Sequence, residues 1–354
     1  MLRHAESKPI AQQGGLAASY TAMLDDEAVA LARSFYDLDA QVVRLTTEKD
    51  DTFRLECGNG ERYVLKVANP AEDQSEVDCQ VELLRHIEMQ NPELPVPRVI
   101  KTSSRLWHFH YEDRVGQSRR VRLMSYLEGV PLSEVKSSAG GREEVGKILG
   151  RLRLAMAEFR HSADSRVLAW DVKHLLHLRP LLAEIANERK RERLETAFAR
   201  FSVIEPRLAK CRTQVVHNDF SKSNVVVHKD YPSHVSGVID FGDAVRTAVA
   251  VDLSTALLNQ LSSGDDDDIF ADGRDLLRGY LTVADLTEEE LNLIPHLVMG
   301  RVIARALLTI WRARLFPENA TYILRNTEQG WKQLEWFLNR SIPEVSKQFH
   351  YPAF

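Results

Sequence analysis

VVHNDFSKSNVVVHKD (215–230) and, a few residues on, SGVIDFGDA (236–244) are the segments from which this chain is read. The first places His217, Asn218 and Asp219 after two valines, then four residues, then Asn224. The second is an apolar strand run ending in Asp240, Phe241 and Gly242. Phosphoryl transfer to a hydroxyl needs one carboxylate to accept or orient the hydroxyl proton. It also needs an Asn and a second Asp to hold magnesium against nucleotide phosphates. Asp219 fits the catalytic base, and its charge would also draw in an ammonium-bearing substrate. Asn224 offers magnesium a neutral amide oxygen, and Asp240 a hard carboxylate at a strand end. Gly242 permits the tight turn that follows. His217 reads as structural support whose ring nitrogens brace the loop. Asp252 opens the helical run DLSTALL and supports the same loop from behind.

Upstream, three short strand-like runs precede a helix and two more strands. VVRLTT (42–47), TFRLEC (52–57) and YVLKVA (63–68) are separated by EKDD (48–51) and GNG (58–60). The third run carries Lys66, an ammonium among apolar residues that needs an anion such as nucleotide phosphate. Residues 75–89 read as a helix with Val77, Gln80, Leu83, Leu84 and Ile87 on one face, ended by Pro92, Pro95 and Pro97. Glu76 lies on that face and is favoured over Glu82 as the partner of Lys66. RLWHFHYE (105–112) and RVRLMSYL (120–127) complete the set. Met124, Ser125, Tyr126 and Leu127 end it, where backbone groups would meet the edge of a nucleotide base.

Gly129 and Pro131 mark the crossing into a mostly helical second part. An amphipathic stripe runs over 143–159 and a helix-like stretch over about 175–209. Strands at 214–217, 225–228 and 235–240 interrupt the helices, which resume at 252–262, 269–281, 287–315 and 318–340. A helix is also expected over 25–36, behind an Asp-Asp-Glu cap region, and residues 1–18 are expected to fray. The chain therefore divides into 19–127, a nucleotide-binding N-lobe, and 128–354, a catalytic and substrate-binding C-lobe. The expected fold is α+β and bilobal, protein-kinase-like, with a small mixed-sheet N-lobe and a larger, mainly helical C-lobe.

Composition agrees with an ordinary globular enzyme: 354 residues, 44% hydrophobic, 27% charged, net charge -5. Neither nucleic acid nor an anionic membrane is drawn to that balance. The three cysteines, Cys57, Cys79 and Cys211, are scattered without ligand spacing, which fits a reduced, cytoplasmic setting. No apolar run reaches the ~18 uninterrupted residues of a membrane span. SSGDDDD (262–268) is either a solvated loop or an acidic rim for a cationic substrate. Motifs for P-loop, nucleophile-elbow and zinc-hydrolase chemistry are absent from the sequence.

With these residues in view, the chain resembles the aminoglycoside phosphotransferase and choline kinase-like superfamily, and within it the hydroxylysine kinases. VLKVAN (64–69), VRLMSYLEGVPLSE (121–134), HNDFSKSN (217–224), VSGVIDFGDA (235–244) and LFPENATYILRNTEQGWKQL (315–334) look like that group's blocks in the same order. The resemblance implies Asp219 as base, Asn224 and Asp240 on Mg2+, and Lys66 on the phosphates of ATP or GTP. Gln80 departs from the pattern, since many relatives carry an acid near this helix position, and this leaves the Lys66 ion pair open. The implied acceptor, 5-hydroxy-L-lysine, carries two ammonium groups and a carboxylate. Asp243 is then expected to bind an amine. Arg301, a charge in an otherwise apolar helix, would bind the carboxylate or else pair with an Asp of the chain. Homoserine, choline or ethanolamine, methylthioribose and aminoglycosides are alternative acceptors. A catalytically silent nucleotide-binding module is a rival, although Asp219, Asn224 and Asp240 are all present. A protein kinase is disfavoured because no A-P-E-like segment or activation loop lies between Asp240 and Asp252. Oligomeric state is not legible.

Overall fold

The computed structural model describes residues 20–47, 49–317, 320–325 and 327–349. The segment 1–18 that was expected to fray, Glu48 of the first turn, and the start of the 318–340 helix lie outside them. The N-terminal part runs α1 (Asp25–Tyr36), β1 (Ala40–Leu45), β2 (Asp51–Cys57), β3 (Arg62–Val67), α2 (Gln74–Gln90), β4 (Val99–Ile100), β5 (Phe109–Glu112) and β6 (Ser118–Ser125). Asp25, Asp26 and Glu27 fill the first turn of α1, where the helix dipole favours negative charge. Asp73 caps α2 by accepting the Ser75 N–H at 2.8 Å.

The sheet order is β1-β2-β3-β6-β4, with β5 also paired to β6. Every pairing is antiparallel, so the sheet is not mixed. Short hairpins join β1 to β2 and β2 to β3. The long α2 excursion returns the chain beside β3 running the opposite way, and no parallel crossover arises. β6 carries two fully buried arginines. Arg119 pairs with Asp51 at 2.8 Å and Asp113 at 3.3 Å, and Arg122 donates to Gln80 Oε1 at 2.7 Å. Such charges are tolerated in a core where acids and an amide meet them, Arg122 also lying 3.7 Å from Asp50.

The second part runs β7 (Val130–Pro131), α3 (Ala139–Met156), a 3-10 segment (Val172–Glu184), α4 (Glu188–Leu208), β8 (Thr213–Val216), β9 (Val225–Val227), β10 (Val235–Val238), β11 (Val245–Ala248), α5 (Val249–Leu258), α6 (Ala271–Leu281), α7 (Glu288–Leu315), α8 (Ala320–Ile323), α9 (Thr327–Leu338) and α10 (Ile342–Ser346). The α+β, kinase-like division into a sheet-rich and a helical part is as expected. Strand β11 was not expected from the sequence, and the 175–209 stretch divides into a 3-10 segment and α4. Gly129 (φ 142) permits the crossing into β7, because a Cβ there would stand 2.4 Å from the Val227 carbonyl. Helix α7 is long and apolar enough to span a bilayer, but 83% of that window is buried inside the protein, as the central helix of the second part.

Helices α3 and α6 cross through glycines. A Cβ on Gly146 would meet the Leu276 carbonyl at 1.9 Å, and one on Gly279 the Glu143 carbonyl at 1.9 Å. Backbone sits on backbone there, so no rotamer change relieves an added methyl. Gly279→Ala is expected to cost about 1–3 kcal/mol and to lower Tm. Gly140→Ala, where a Cβ meets nothing within 4 Å, is expected to be neutral or stabilising. Paired thermal melts check this, and equal melting of the two variants would contradict the crossing.

Candidate active site

Two antiparallel pairings bring the distant motif residues together. β9 pairs with β10 and β8 with β11. The loop from His217 to Asn224, between β8 and β9, therefore lies against the turn from Asp240 to Ala244, between β10 and β11. The Ile239 N–H donates to the Asn224 carbonyl at 2.9 Å, and His217 Nε2 bonds the Ile239 carbonyl at 3.0 Å. With Nε2 as the donor, His217 Nδ1 accepts the Asp219 N–H at 3.3 Å. Asn218 is held at φ 63, a left-handed conformation that Asn tolerates better than most residues. Its N–H reaches Asp252 Oδ1 at 2.8 Å, so Asp252 braces the loop through backbone.

Asn224 Nδ2 donates to Asp219 Oδ2 at 2.7 Å and to the Asp219 carbonyl at 3.0 Å. The amide N–H groups are thereby spent, and the amide oxygen remains as the free acceptor. Asp240, at φ 62, receives the Gly242 N–H at 3.3 Å and caps the short 3-10 turn Phe241–Asp243. Lys66 reaches across from β3 and pairs with Asp240 Oδ1 at 3.2 Å. Lys66 thus contacts the second part directly, and the expected pairing with Glu76 is corrected. Glu76 pairs with Arg166 at 2.6 Å and lies 3.9 Å from Lys49. Arg166 also donates to the Gly242 and Ala244 carbonyls, so Glu76 is engaged by the cation that bridges α2 and the 240–244 turn.

Charge is crowded here. Burial, then Asp243, then Asp240 push the Asp219 carboxyl up to about 8. Lys66 chiefly holds Asp240 down at about 2. Burial raises Asp243, which receives no hydrogen bond from the described residues, and Arg166 opposes the shift. A divalent cation suits this donor set: an amide oxygen and carboxylates that repel one another until a positive charge arrives. Among the described residues no three His, Cys, Asp or Glu side chains form a metal group by themselves. The remaining ligands would therefore come from phosphate and water.

Other expected site residues fall differently. Met124 is buried core, 7% exposed. The Ser125 hydroxyl accepts the Arg98 N–H at 2.9 Å, and the Tyr126 N–H reaches the Arg62 carbonyl at 3.3 Å. The Tyr126 ring lies under Arg62 at 5.2 Å, and Leu127 packs where a Cβ on Gly237 would be 2.9 Å away. Arg301 is 4% exposed and forms no ion pair with an Asp among the described residues. Its Nη1 donates to the Trp170 carbonyl at 2.6 Å, and Nη2 to the Asn218 carbonyl at 3.0 Å and Asn218 Oδ1 at 2.6 Å. Arg301 is occupied by the loop and is not open to a substrate carboxylate. The 262–268 run is partly engaged, with Asp265 on Lys332 at 2.7 Å and Asp268 on Arg274 at 2.5 Å. Arg166 was missed because it sits in an irregular segment with no periodicity to mark it.

A sequence profile of the phosphotransferase enzyme family matches residues 42–291. The chain belongs to that family. This phosphotransferase is 24% identical over 333 residues to the hydroxylysine kinase of Mus musculus, covering 87% of this chain and 88% of the mouse protein. Its fold is similar to a microcompartment-associated aminopropanol kinase, with TM-score 0.71, 19% identity and coverage of 89% and 98%. It is also similar to an amicoumacin kinase in complex with AMP-PNP, Ca2+ and Ami, with TM-score 0.66, 15% identity and coverage of 86% and 93%. The enzyme is accordingly a small-molecule phosphotransferase acting on a hydroxyl group.

Asp240→Ala removes the carboxylate that pairs with Lys66. It is expected to weaken magnesium-dependent nucleotide binding by about 10-fold or more. Calorimetry of nucleotide binding across a magnesium titration checks this, and an unchanged titration would remove Asp240 from the metal site.

Proposed function

We propose that this phosphotransferase moves the γ-phosphoryl group of ATP or GTP, with Mg2+, to the hydroxyl of a small amine-bearing metabolite, 5-hydroxy-L-lysine being the leading acceptor. The observation that carries this reading is the meeting of Asp219, Asn224, Asp240 and Lys66 in one cleft between the sheet and the helices. Asp219 aligns the acceptor hydroxyl and takes its proton. Asn224 and Asp240 would hold the metal, whose charge would neutralise the phosphates during transfer. Lys66 binds nucleotide phosphate and Asp243 an acceptor ammonium. The His217, Asp252 and Arg301 contacts fix the loop so that positioning is set before the acceptor arrives.

Two observations support a small acceptor over a protein. The chain passes from Asp240 through one 3-10 turn straight into β11 at Val245, leaving no long activation segment. The mouse relative, matched over most of both chains, is named for a small hydroxylated amino acid.

Asp219→Asn is expected to keep nucleotide affinity and to lower turnover by at least ~100-fold. Near-wild-type turnover in that variant would remove the base role. A panel of amino alcohols and hydroxy amino acids, each with ATP and with GTP, read by nucleoside diphosphate release, tests the acceptor. Release no faster than without acceptor, for every compound, would sink the proposed reaction.

A further inference from the structure

Lys66 meets Asp240 at 3.2 Å in this structure, yet the reading above gives Asp240 to a metal and Lys66 to phosphate. Once Asp240 turns its carboxylate to a divalent cation, Lys66 loses its partner and faces a like charge. A flexible four-carbon side chain then needs another acid behind it to aim it at phosphate. The nearby helix does not supply one. Glu76 is taken by Arg166 at 2.6 Å, and Glu82 lies 3.8 Å from His161. Gln80 is neutral and spent at both ends, Oε1 on Arg122 at 2.7 Å and Nε2 on Glu72 at 3.2 Å.

The sheet offers an acid instead. Phe53, Leu65 and Val121 pack in the core under α1, on one face of β2, β3 and β6. Asp51 and Arg119 pair at 2.8 Å on that same face. Side chains alternate along a strand, so Thr52, Lys66 and Arg122, opposite one another across the three strands, share the other face. Asp50 stands two residues before Thr52 and belongs to this second face, as its Oδ2 shows by lying 3.7 Å from Arg122 Nη2. It is diagonal to Lys66, a spacing of about 7–8 Å that a long side chain spans. Its side chain is 9% exposed. Oδ1 accepts the Asn69 N–H at 3.2 Å, and Oδ2 receives no hydrogen bond from the described residues. Burial and then Glu72 raise the Asp50 carboxyl, and Lys66 is the first of the cations that oppose the rise. Glu72, the other buried acid here, already has Lys49 at 2.9 Å. Asp50 is thus a buried carboxylate with an oxygen to spare, on the face and within the reach of Lys66.

We infer that Asp50 is the positioning acid of Lys66 in the nucleotide-bound enzyme, so that Lys66 works from two places, Asp240 before binding and Asp50 after. This rests on the nucleotide reading above and deepens it.

A double-mutant cycle tests this, read by calorimetry with a nucleoside triphosphate and Mg2+ (ATP or GTP, whichever the wild type binds) and with the matching nucleoside. Asp50→Asn is expected to weaken triphosphate binding by about 10-fold and to leave the nucleoside, which offers Lys66 no phosphate, unaffected. In a Lys66→Met background the same change is expected to shift triphosphate affinity by less than about 2-fold. A merely structural Asp50 would weaken both ligands alike in both backgrounds. Unchanged triphosphate affinity in Asp50→Asn, an equal loss of the nucleoside, or an undiminished loss in Lys66→Met would overturn the assignment and leave the kinase reading standing. So would coupling of Lys66 to Glu72→Gln in place of Asp50→Asn. Wild-type enzyme that binds neither triphosphate would reject both readings. Should circular dichroism show Asp50→Asn unfolded, a crystal structure of the wild type with Mg2+ and a non-hydrolysable triphosphate analogue decides. Lys66 Nζ is expected within about 4 Å of an Asp50 oxygen there, and Lys66 still on Asp240, or on Glu72, would overturn the inference.

Discussion

Three carboxylates, Asp219, Asp240 and Asp243, are held in one cleft against their mutual repulsion, and the surrounding structure is arranged to oppose it. Burial first, and then the like charges of Asp243 and Asp240, raise the Asp219 carboxyl. Lys66 answers one of the three directly. Arg166 and Arg301 act from a distance, each lowering the cost without forming an ion pair with the carboxylate it serves. The residual negative charge is what a metal ion and an ammonium-bearing acceptor would complete, so the energetic cost of the cleft and its chemistry have one origin.

The backbone holds that arrangement in place. Asn218 and Asp240 both occupy left-handed conformations, which persist only when neighbours over-determine them. Asp252 and Arg301 grip Asn218 on its N–H, its carbonyl and its side chain. Gly242 N–H and Lys66 grip Asp240. His217 ties the two loops together through Ile239. Arg166 extends the hold to the other part of the molecule, linking Glu76 on α2 to the carbonyls of the Asp240 turn. A change in the α2 position would therefore be felt at the Asp240 turn through Arg166, and a change in β3 through Lys66.

The catalytic segment was legible because its chemistry demands residue types at fixed spacings. Asp219, Asn224 and Asp240 could be picked out, and strands β8, β9 and β10 placed around them within a residue or two. Period-2 alternation gave β2 and β3, and 3.6 periodicity gave α1, α2, α3 and α7. β11 was not legible because VRTA is short and shows its strand character only when paired with β8. The antiparallel course of the whole sheet was likewise hidden, since strand direction depends on how α2 returns the chain.

The sequence by itself determined the reaction class and which residues to propose for it, because those follow from residue type and local spacing. Only the tertiary structure decided partners. Lys66 could be given an anion but not told that Asp240, 174 positions away, is nearer than Glu76. Arg301 could be read as a cation amid apolar residues, but not told that the Trp170 carbonyl and the carbonyl and side chain of Asn218 would take its fork, because distance through space is not written in distance along the polymer.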